Sequence, residues 1–462
     1  MDIFHVQIDL INILLFLFSL GFFIMMITVS LLSNSEGETT AAKRAFFASI
    51  LLPSPYLILA LTVFPGKSII AYALIGFTLL SALIILFPFK VRREPADEKI
   101  SEKYDERDVV FVRNRLKEGS ERFDEYYKRK PEKLEPDNLF RSAPGLLSPD
   151  SGQADPFMYS STAASFIACD NLIDICDGPV SEEKITANEE DISEYIKNWV
   201  KRLGAHSVGI TLLKEDHKYS IAGRGEKYGK PVANNHKFAI AFTVEMDYDS
   251  IRKGPQAPSV MESAKQYLNA GTIAVQLATF IRHLGYSARA HIDANYEVVC
   301  PLVARDAGLG ELGRMGILMT PELGPRARVN VVTTELPLVL DKRKYDSSMI
   351  EFCRHCKKCS TVCPGRAISD KDREIHNGVL CWKINHEKCF NFWCNSGTDC
   401  GRCMATCPYS HPDTLMHNII RFFIKHSPVF RRVAATMDDL LYGRKPRPMK
   451  LAKWEKVRVK SN

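Results

Sequence analysis

Ten of the thirteen cysteines in this 462-residue chain lie between Cys353 and Cys407. They form two runs. The first is Cys353-x2-Cys356-x2-Cys359-x3-Cys363-Pro364. The second is Cys389, then Cys400-x2-Cys403-x3-Cys407-Pro408. Such short spacings let one loop present several thiolates to one inorganic cluster, and the cysteine before proline serves the other cluster. The expected ligand sets are therefore crossed. Cys353, Cys356, Cys359 and Cys407 would hold one [4Fe–4S] cluster, and Cys400, Cys403, Cys363 and Cys389 the second. Zinc also takes thiolate quartets, but usually on paired C-x2-C knuckles. Cys381 and Cys394 are near enough in sequence to replace Cys389. Cys169, Cys176 and Cys300 read as buried thiols, because clustered cysteines in a long chain indicate metal ligation rather than disulfides. Two adjacent clusters imply electron transfer.

Other candidates lie upstream. Tyr248, in the stretch Glu245-Met-Asp-Tyr-Asp, closes an apolar run, where a tyrosine can turn its hydroxyl into a pocket or simply half-bury in the core. Gly308, Gly310 and Gly313, in the stretch from Ala307 to Gly316, would let backbone approach a ligand closely. The βαβ unit of a dinucleotide fingerprint is missing around them. Thr320 to Arg328 reads as a turn feeding a strand.

The elements that position these residues follow from periodicity. Ser207 to Leu213, Phe238 to Glu245 and Arg328 to Thr334 read as strands. Ile192 to Leu203 and Ser259 to Leu284 read as helices, the latter ended by Gly285. Val109 to Lys128 reads as a solvated surface helix, and Ser142 to Pro156 as a loop. Strands alternating with helices imply a mixed α+β domain.

Three uncharged apolar runs open the chain, Ile11 to Leu32, Phe46 to Phe64 and Ile69 to Phe87. Each is near the length that crosses a bilayer, and Pro53 should kink the second. Lys43, Arg44, Lys90, Arg92 and Arg93 flank one side of these runs, and Asp2, Asp9 and Lys67 the other. That asymmetry puts the N-terminus outside and the large domain in the cytoplasm, in a multi-pass protein of the cytoplasmic membrane. The overall balance, 61 Lys+Arg against 54 Asp+Glu, is too even to argue for nucleic acid. The basic residues after Arg421 read instead as lying against anionic lipid. The expected organisation is a membrane anchor over 1–92, a catalytic domain over 93–345, a ferredoxin-type domain over 346–415 and a basic tail over 416–462.

In order along the chain, the stretches EMDY (245–248), AGLGELGRMG (307–316), TPELGPR (320–326) and TTELPL (333–338), the cysteine runs and MDDLLYGRKP (437–446) resemble the corrinoid-dependent reductive dehalogenases. The upstream EYYK (125–128) also fits, so the likeness covers about residues 110 to 447. The resemblance implies a nitroreductase-like domain holding a cobamide beside a bacterial two-[4Fe–4S] ferredoxin-like domain. It implies reductive cleavage of a carbon–halogen bond in a small organohalide. It assigns Tyr248 as proton donor, with Arg314 or else Arg305 as the cation that favours its anionic form. Respiratory members carry an export signal and a separate anchor; this chain carries its own spans. Electrons would come from a cytoplasmic donor or from a quinol. Two other readings fit parts of the pattern: a cobamide reductase of a non-halogenated substrate, like the epoxyqueuosine reductases, and a membrane iron–sulfur electron carrier without substrate chemistry.

Overall fold

The computed structural model describes residues 9–89, 101–343 and 345–457. Asp2, Lys90, Arg92 and Arg93, used above to argue orientation, lie outside them. The chain divides into two compact units. One holds residues up to 92 with Phe422–Pro446, and the other holds 93–421 with 447–462.

The first unit opens with α1 (Leu10–Ser35), α2 (Thr39–Leu51), α3 (Ser54–Leu61) and α4 (Lys67–Leu86). α2 and α3 form one apolar stretch of 23 residues interrupted at Pro53, so three segments are long and apolar enough to cross a membrane. Proline removes a backbone donor and breaks the helical ladder there. The carbonyl of Pro53 accepts from Leu57 N at 3.0 Å and also from Ser19 Oγ of α1 at 3.3 Å, which ties the break to α1. Leu15, Tyr56, Leu59, Ala71 and Ile75 form the core between these helices. Most of the remaining apolar side chains face outward.

The second unit begins with α5 (Val110–Asn114), α6 (Glu121–Arg129), α7 (Leu134–Arg141), α8 (Pro156–Asp170) and α9 (Glu189–Arg202). The single solvated helix expected over Val109 to Lys128 is instead α5 and α6. The break includes Gly119 at φ +75°, and Val110, Val112, Tyr126 and Tyr127 are buried. Charge density concealed this buried face.

The centre is an antiparallel sheet of order β1-β2-β6-β3. Its strands are β1 (Ser207–Leu212), β2 (Phe238–Glu245), β3 (Ala288–His291) and β6 (Ala327–Thr334). The short pair β4 (Glu311–Leu312) and β5 (Leu318–Met319) lies between β3 and β6 in sequence. β2 is apolar from Phe238 to Phe242, where both faces are covered. Ile240, Phe242 and Val332 pack toward α9 and the 27-residue α11 (Ala257–His283), which follows the short α10 (Tyr248–Arg252). Ala239, Ala241 and Val331 pack toward α12 (Cys300–Asp306) on the other face. Arg328 and Asn330 lie on β6 between these apolar positions, on the face that Val332 shares with α11.

The cysteines occupy α13 (Ser347–Cys356), α14 (Lys358–Val362), a small hairpin β7 (Glu374–His376) and β8 (Val379–Cys381), α15 (His386–Ser396) and α16 (Arg402–Ala405). Arg113 anchors α15 against α5 and α7. It pairs with buried Asp137 and, at 2.9 Å, with Glu387 at the start of α15. Residues 416–462, expected as a basic tail, contain most of α17 (Leu415–His426) and all of α18 (Pro428–Tyr442).

Candidate redox and proton-transfer site

The eight cysteines converge as two groups of four. Burial pushes the Cys359 thiol up, and Cys353 and Cys356 push it further. Cys407 is raised by burial and then by Cys353, Cys356 and Cys359. Cys389 is pushed up to about 12 by burial and by Cys363. Cys400 likewise reaches about 12, with Cys389 and Cys363 contributing. Cys403 feels Cys400 and Cys389 beyond its own burial, then Cys359 of the first group and Cys363. Thiols crowded and desolvated in this way resist ionisation unless a cation shares them. This is the donor set an iron–sulfur cluster requires, and the residues present fit that group. Cys394 feels burial alone, and Cys381 lies on β8, so Cys389 is the one brought to the second group.

Loop geometry sets the second group. Cys400 has φ +63°, a conformation that costs a non-glycine residue about 1–2 kcal/mol. It lies between Thr398, whose Oγ1 donates to Pro255 O at 2.7 Å, and Gly401 at φ +64°. A Cβ on Gly254 would sit 2.4 Å from the Cys400 carbonyl, so only glycine admits the loop here.

A cavity of about 290 Å³ opens against this group. Its wall includes Cys363, Cys389, Cys400, Cys403, Asp399 and Arg328. Arg328 leads to a tyrosine. Its Nη1 donates to the Tyr267 hydroxyl oxygen at 3.2 Å, and its guanidinium lies 4.4 Å from that ring's centroid. Its Nη2 donates to Ser263 Oγ at 2.5 Å and reaches Asp399 Oδ2 at 3.1 Å. Ser263 Oγ donates to the same carboxylate. Tyr267 and Ser263 are one turn apart on α11, and Arg328 faces them from β6.

Burial pushes the Tyr267 phenol up, and the Arg328 charge draws it back, with Asp293 and Asp399 opposing. Asp293 and Tyr296 are also raised, by burial first. All three are half-buried. The cavity has the second cysteine group and Arg328 in its wall, with Tyr267 held behind Arg328, and this lining would fit a redox cofactor.

Tyr248, Arg314 and Arg305, the residues expected to be catalytic, are not in that cavity wall. Tyr248 is buried at the start of α10, its hydroxyl 3.5 Å from His411 Nδ1. The guanidinium over its ring is that of Arg326, at 5.8 Å, and Arg326 itself pairs with Glu245 at 2.5 Å. Arg314 instead serves the first cysteine group. It donates to Cys353 O at 3.1 Å and Ser369 O at 2.8 Å, and its charge acts on Cys359 and Cys353. Arg305 pairs with Asp306 at 3.2 Å, and Asp306 also binds Lys214 and His217.

The glycines expected at a cofactor pack protein on protein. A Cβ on Gly310 would meet Met319 O at 2.1 Å, and one on Gly313 would meet Met319 Sδ at 2.2 Å. Gly308 turns at φ +81° beside Lys342. The end of the same stretch, Met315 to Ile317, does reach the cavity wall.

A family model described as a 4Fe-4S dicluster domain matches residues 352–411. Tetrachloroethene reductive dehalogenase of Desulfitobacterium hafniense is 33% identical over 301 residues, covering 54% of this chain and 54% of that protein. The enzyme of the same description from Sulfurospirillum multivorans is 29% identical over 296 residues, 56% of this chain and 58% of its own. This chain thus spans about half the length of the curated relatives it matches. A solved catabolic reductive dehalogenase, NpRdhA, in complex with 3-bromo-4-hydroxybenzoic acid, superposes with a TM-score of 0.57 at 29% identity, over 63% of this chain and 42% of that one. A reductive dehalogenase structure from which a mechanism for B12-dependent dehalogenation was drawn gives 0.63 at 25% identity, over 78% and 50%.

Proposed function

We propose that this chain, a homologue of the reductive dehalogenases with their mixed α/β fold and a 4Fe-4S domain, is a membrane-anchored oxidoreductase that replaces the halogen of a small organohalide by hydrogen. Two [4Fe–4S] clusters would be held by Cys353, Cys356, Cys359 and Cys407, and by Cys363, Cys389, Cys400 and Cys403. The observation that carries the reading is the cavity wall, where the second cysteine group and the arginine of a tyrosine–arginine pair meet.

The clusters would supply electrons one at a time, and a cobamide would supply the low-potential chemistry at the carbon–halogen bond. In sum, R–X takes two electrons and one proton and gives R–H and X⁻. The first cysteine group is buried, while three of the second group are only half-buried and line the cavity. That order supports electron exit through the second group.

The chain's own part is proton delivery at Tyr267 Oη. Guanidinium donates and cannot accept, so the Tyr267 oxygen is the acceptor in its bond with Arg328. The phenol hydrogen takes no part in that bond and is the proton to be delivered. Burial keeps the phenol protonated at neutral pH. Once the proton has left, Arg328 at 3.2 Å stabilises the phenolate. Tyr248 is instead buried against His411 and the Arg326 charge.

The three apolar spans would place the chain in the cytoplasmic membrane. Lys43 and Arg44 beside the α1–α2 turn support a cytoplasmic large unit, served by a cytoplasmic donor or a membrane quinol. The deciding experiment is metal analysis of anaerobically purified protein with a halide-release assay. About eight iron and about one cobalt per chain, with halide released from a reduced organohalide screen, is the expected result. Iron without cobalt after reconstitution with cobamide would leave an electron carrier and end the dehalogenase reading.

A further inference from the structure

The first unit is assembled from segments more than three hundred residues apart. α18 is fastened at both ends to the apolar helices. At its N-cap, Ser427 Oγ accepts from Phe430 N at 3.1 Å and donates to Ile85 O of α4 at 2.6 Å. At its other end, Arg44 of α2 donates to Leu440 O at 2.8 Å and Leu441 O at 3.3 Å. These are last-turn carbonyls that a helix cannot pair internally. Tyr442 hydrogen-bonds Ser33 of α1.

Connectivity fixes which end of the bundle this is. α1 leads to it, the α2–α3 segment leaves from it, and α4 returns to it. α18 is therefore a bar across one end of the three-span bundle, about 22 Å long at 1.5 Å per residue.

Charge is sorted at this end. Lys43, Lys425, Arg432 and Lys445 are exposed and form no ion pair among the described residues. The acidic groups are turned inward or paired. Glu38 and Asp438 are buried, and Asp439 binds Arg444 at 2.9 Å. The outer face of α18 carries Arg432, Thr436, Met437 and Leu440, with Leu440 60% exposed. Phe422 is also exposed beside it in sequence on α17. At the opposite end, the cation Lys67 is spent on Ala60 O at 3.1 Å. Cations alternating with outward apolar side chains, on a helix lying across a bundle end, suit the headgroup layer of a bilayer.

We propose that α18 and the α1–α2 turn form a binding surface for anionic phospholipid headgroups, which holds the bar flat against the bilayer. The inference rests on the membrane reading above. Continuity with the spans and the unpaired cations commit the surface to lipid. Each such cation attracts an acidic leaflet, and the attraction is screened by salt.

The test uses the full chain in nanodiscs of phosphatidylcholine alone or mixed with phosphatidylglycerol. Hydrogen exchange over residues 428–446 is expected to slow in the acidic discs, and high salt should cancel the difference. The pair Arg432→Glu and Lys445→Glu should weaken the preference for acidic vesicles about tenfold while leaving iron content unchanged. Equal exchange in both discs, with the chain still integral, would overturn the lipid surface alone. Release of the chain from membranes by alkaline wash would instead remove the membrane reading, and this surface with it.

Discussion

Tyr248 begins α10 at the end of β2, and Tyr267 sits midway along α11. Each has an arginine from the 326–328 segment within about 6 Å of its ring. The difference lies in what else holds that arginine. Arg326 is spent on Glu245, Met246 O and Ser410 O, and only its charge lies near the Tyr248 ring. Arg328 points a donor at the phenol oxygen itself and is braced from behind by Ser263 and Asp399. One site is a clamp between segments. The other is a phenol with its oxygen held and its hydrogen free. The comparison teaches that a cation near a tyrosine is not enough; the donor must meet the oxygen.

Removing each hydroxyl is the largest test of that contrast. Tyr267→Phe should lower kcat by about 10²–10⁴-fold, the range for a lost general acid, with iron and cobalt content intact. Tyr248→Phe should leave kcat nearly unchanged. Activity surviving in Tyr267→Phe but lost in Tyr248→Phe would reverse the assignment and restore the motif-based choice.

Arg328→Gln sharpens the same contrast at the level of charge. The Arg328 cation lowers the Tyr267 pKa, while burial raises it. Without the cation the pKa moves further up. The alkaline limb of the rate profile should then shift to higher pH, because the phenol stays protonated longer. The maximal rate should fall about a hundredfold, as the phenolate loses its stabilising donor. Asp293, Asp399, Arg224 and Tyr296 also act on this phenol or on its arginine, so the direction of the shift is more telling than its size. A limb that moved to lower pH, or did not move, would separate Arg328 from Tyr267 titration.

The two halves of the site were unequally legible in the sequence. Cluster ligation is local chemistry. Cys353, Cys356 and Cys359 fall within seven residues, so their spacing states their use, and even the crossed partners are implied by the proline. β2 was equally plain, because a run of apolar residues buried on both faces cannot hide. The tyrosine–arginine pair is different. Tyr267 and Arg328 are brought together by packing α11 on β6, and nothing within either segment names the other. One signal was present, namely Arg328 and Asn330 alternating on one face of an otherwise apolar strand. Tyr248 drew attention because it lay in a recognisable stretch, and Gly310 and Gly313 because glycines allow close approach. The structure shows that what approaches there is Met319. The bar α18 was hidden for the same reason as the pair, since Arg44 and Leu440 meet only after folding.

The smallest predicted effect concerns Asp399, which precedes Cys400 and so joins the cysteine loop to the arginine. Asn at this position keeps the shape and can still accept from Ser263 Oγ, but it withdraws the charge opposite Arg328. Charge-assisted hydrogen bonds of this kind contribute about 1.5–3 kcal/mol, part of which Ser263 retains by its own contact with Arg328. Asp399→Asn should therefore lower kcat/KM by roughly tenfold, about 1.4 kcal/mol of transition-state stabilisation. The variant should share the loss of rate with Arg328→Gln, but the alkaline limb should move the opposite way, to lower pH, because the Asp399 charge raises the Tyr267 pKa; iron content should be unchanged. A second variant, Ser263→Ala, should do less, since the Asp399 carboxylate remains. If Asp399→Asn lost iron without moving the pH profile, the carboxylate would be a brace for the Cys400 loop, and the tyrosine–arginine pair would stand independent of the cluster that feeds it.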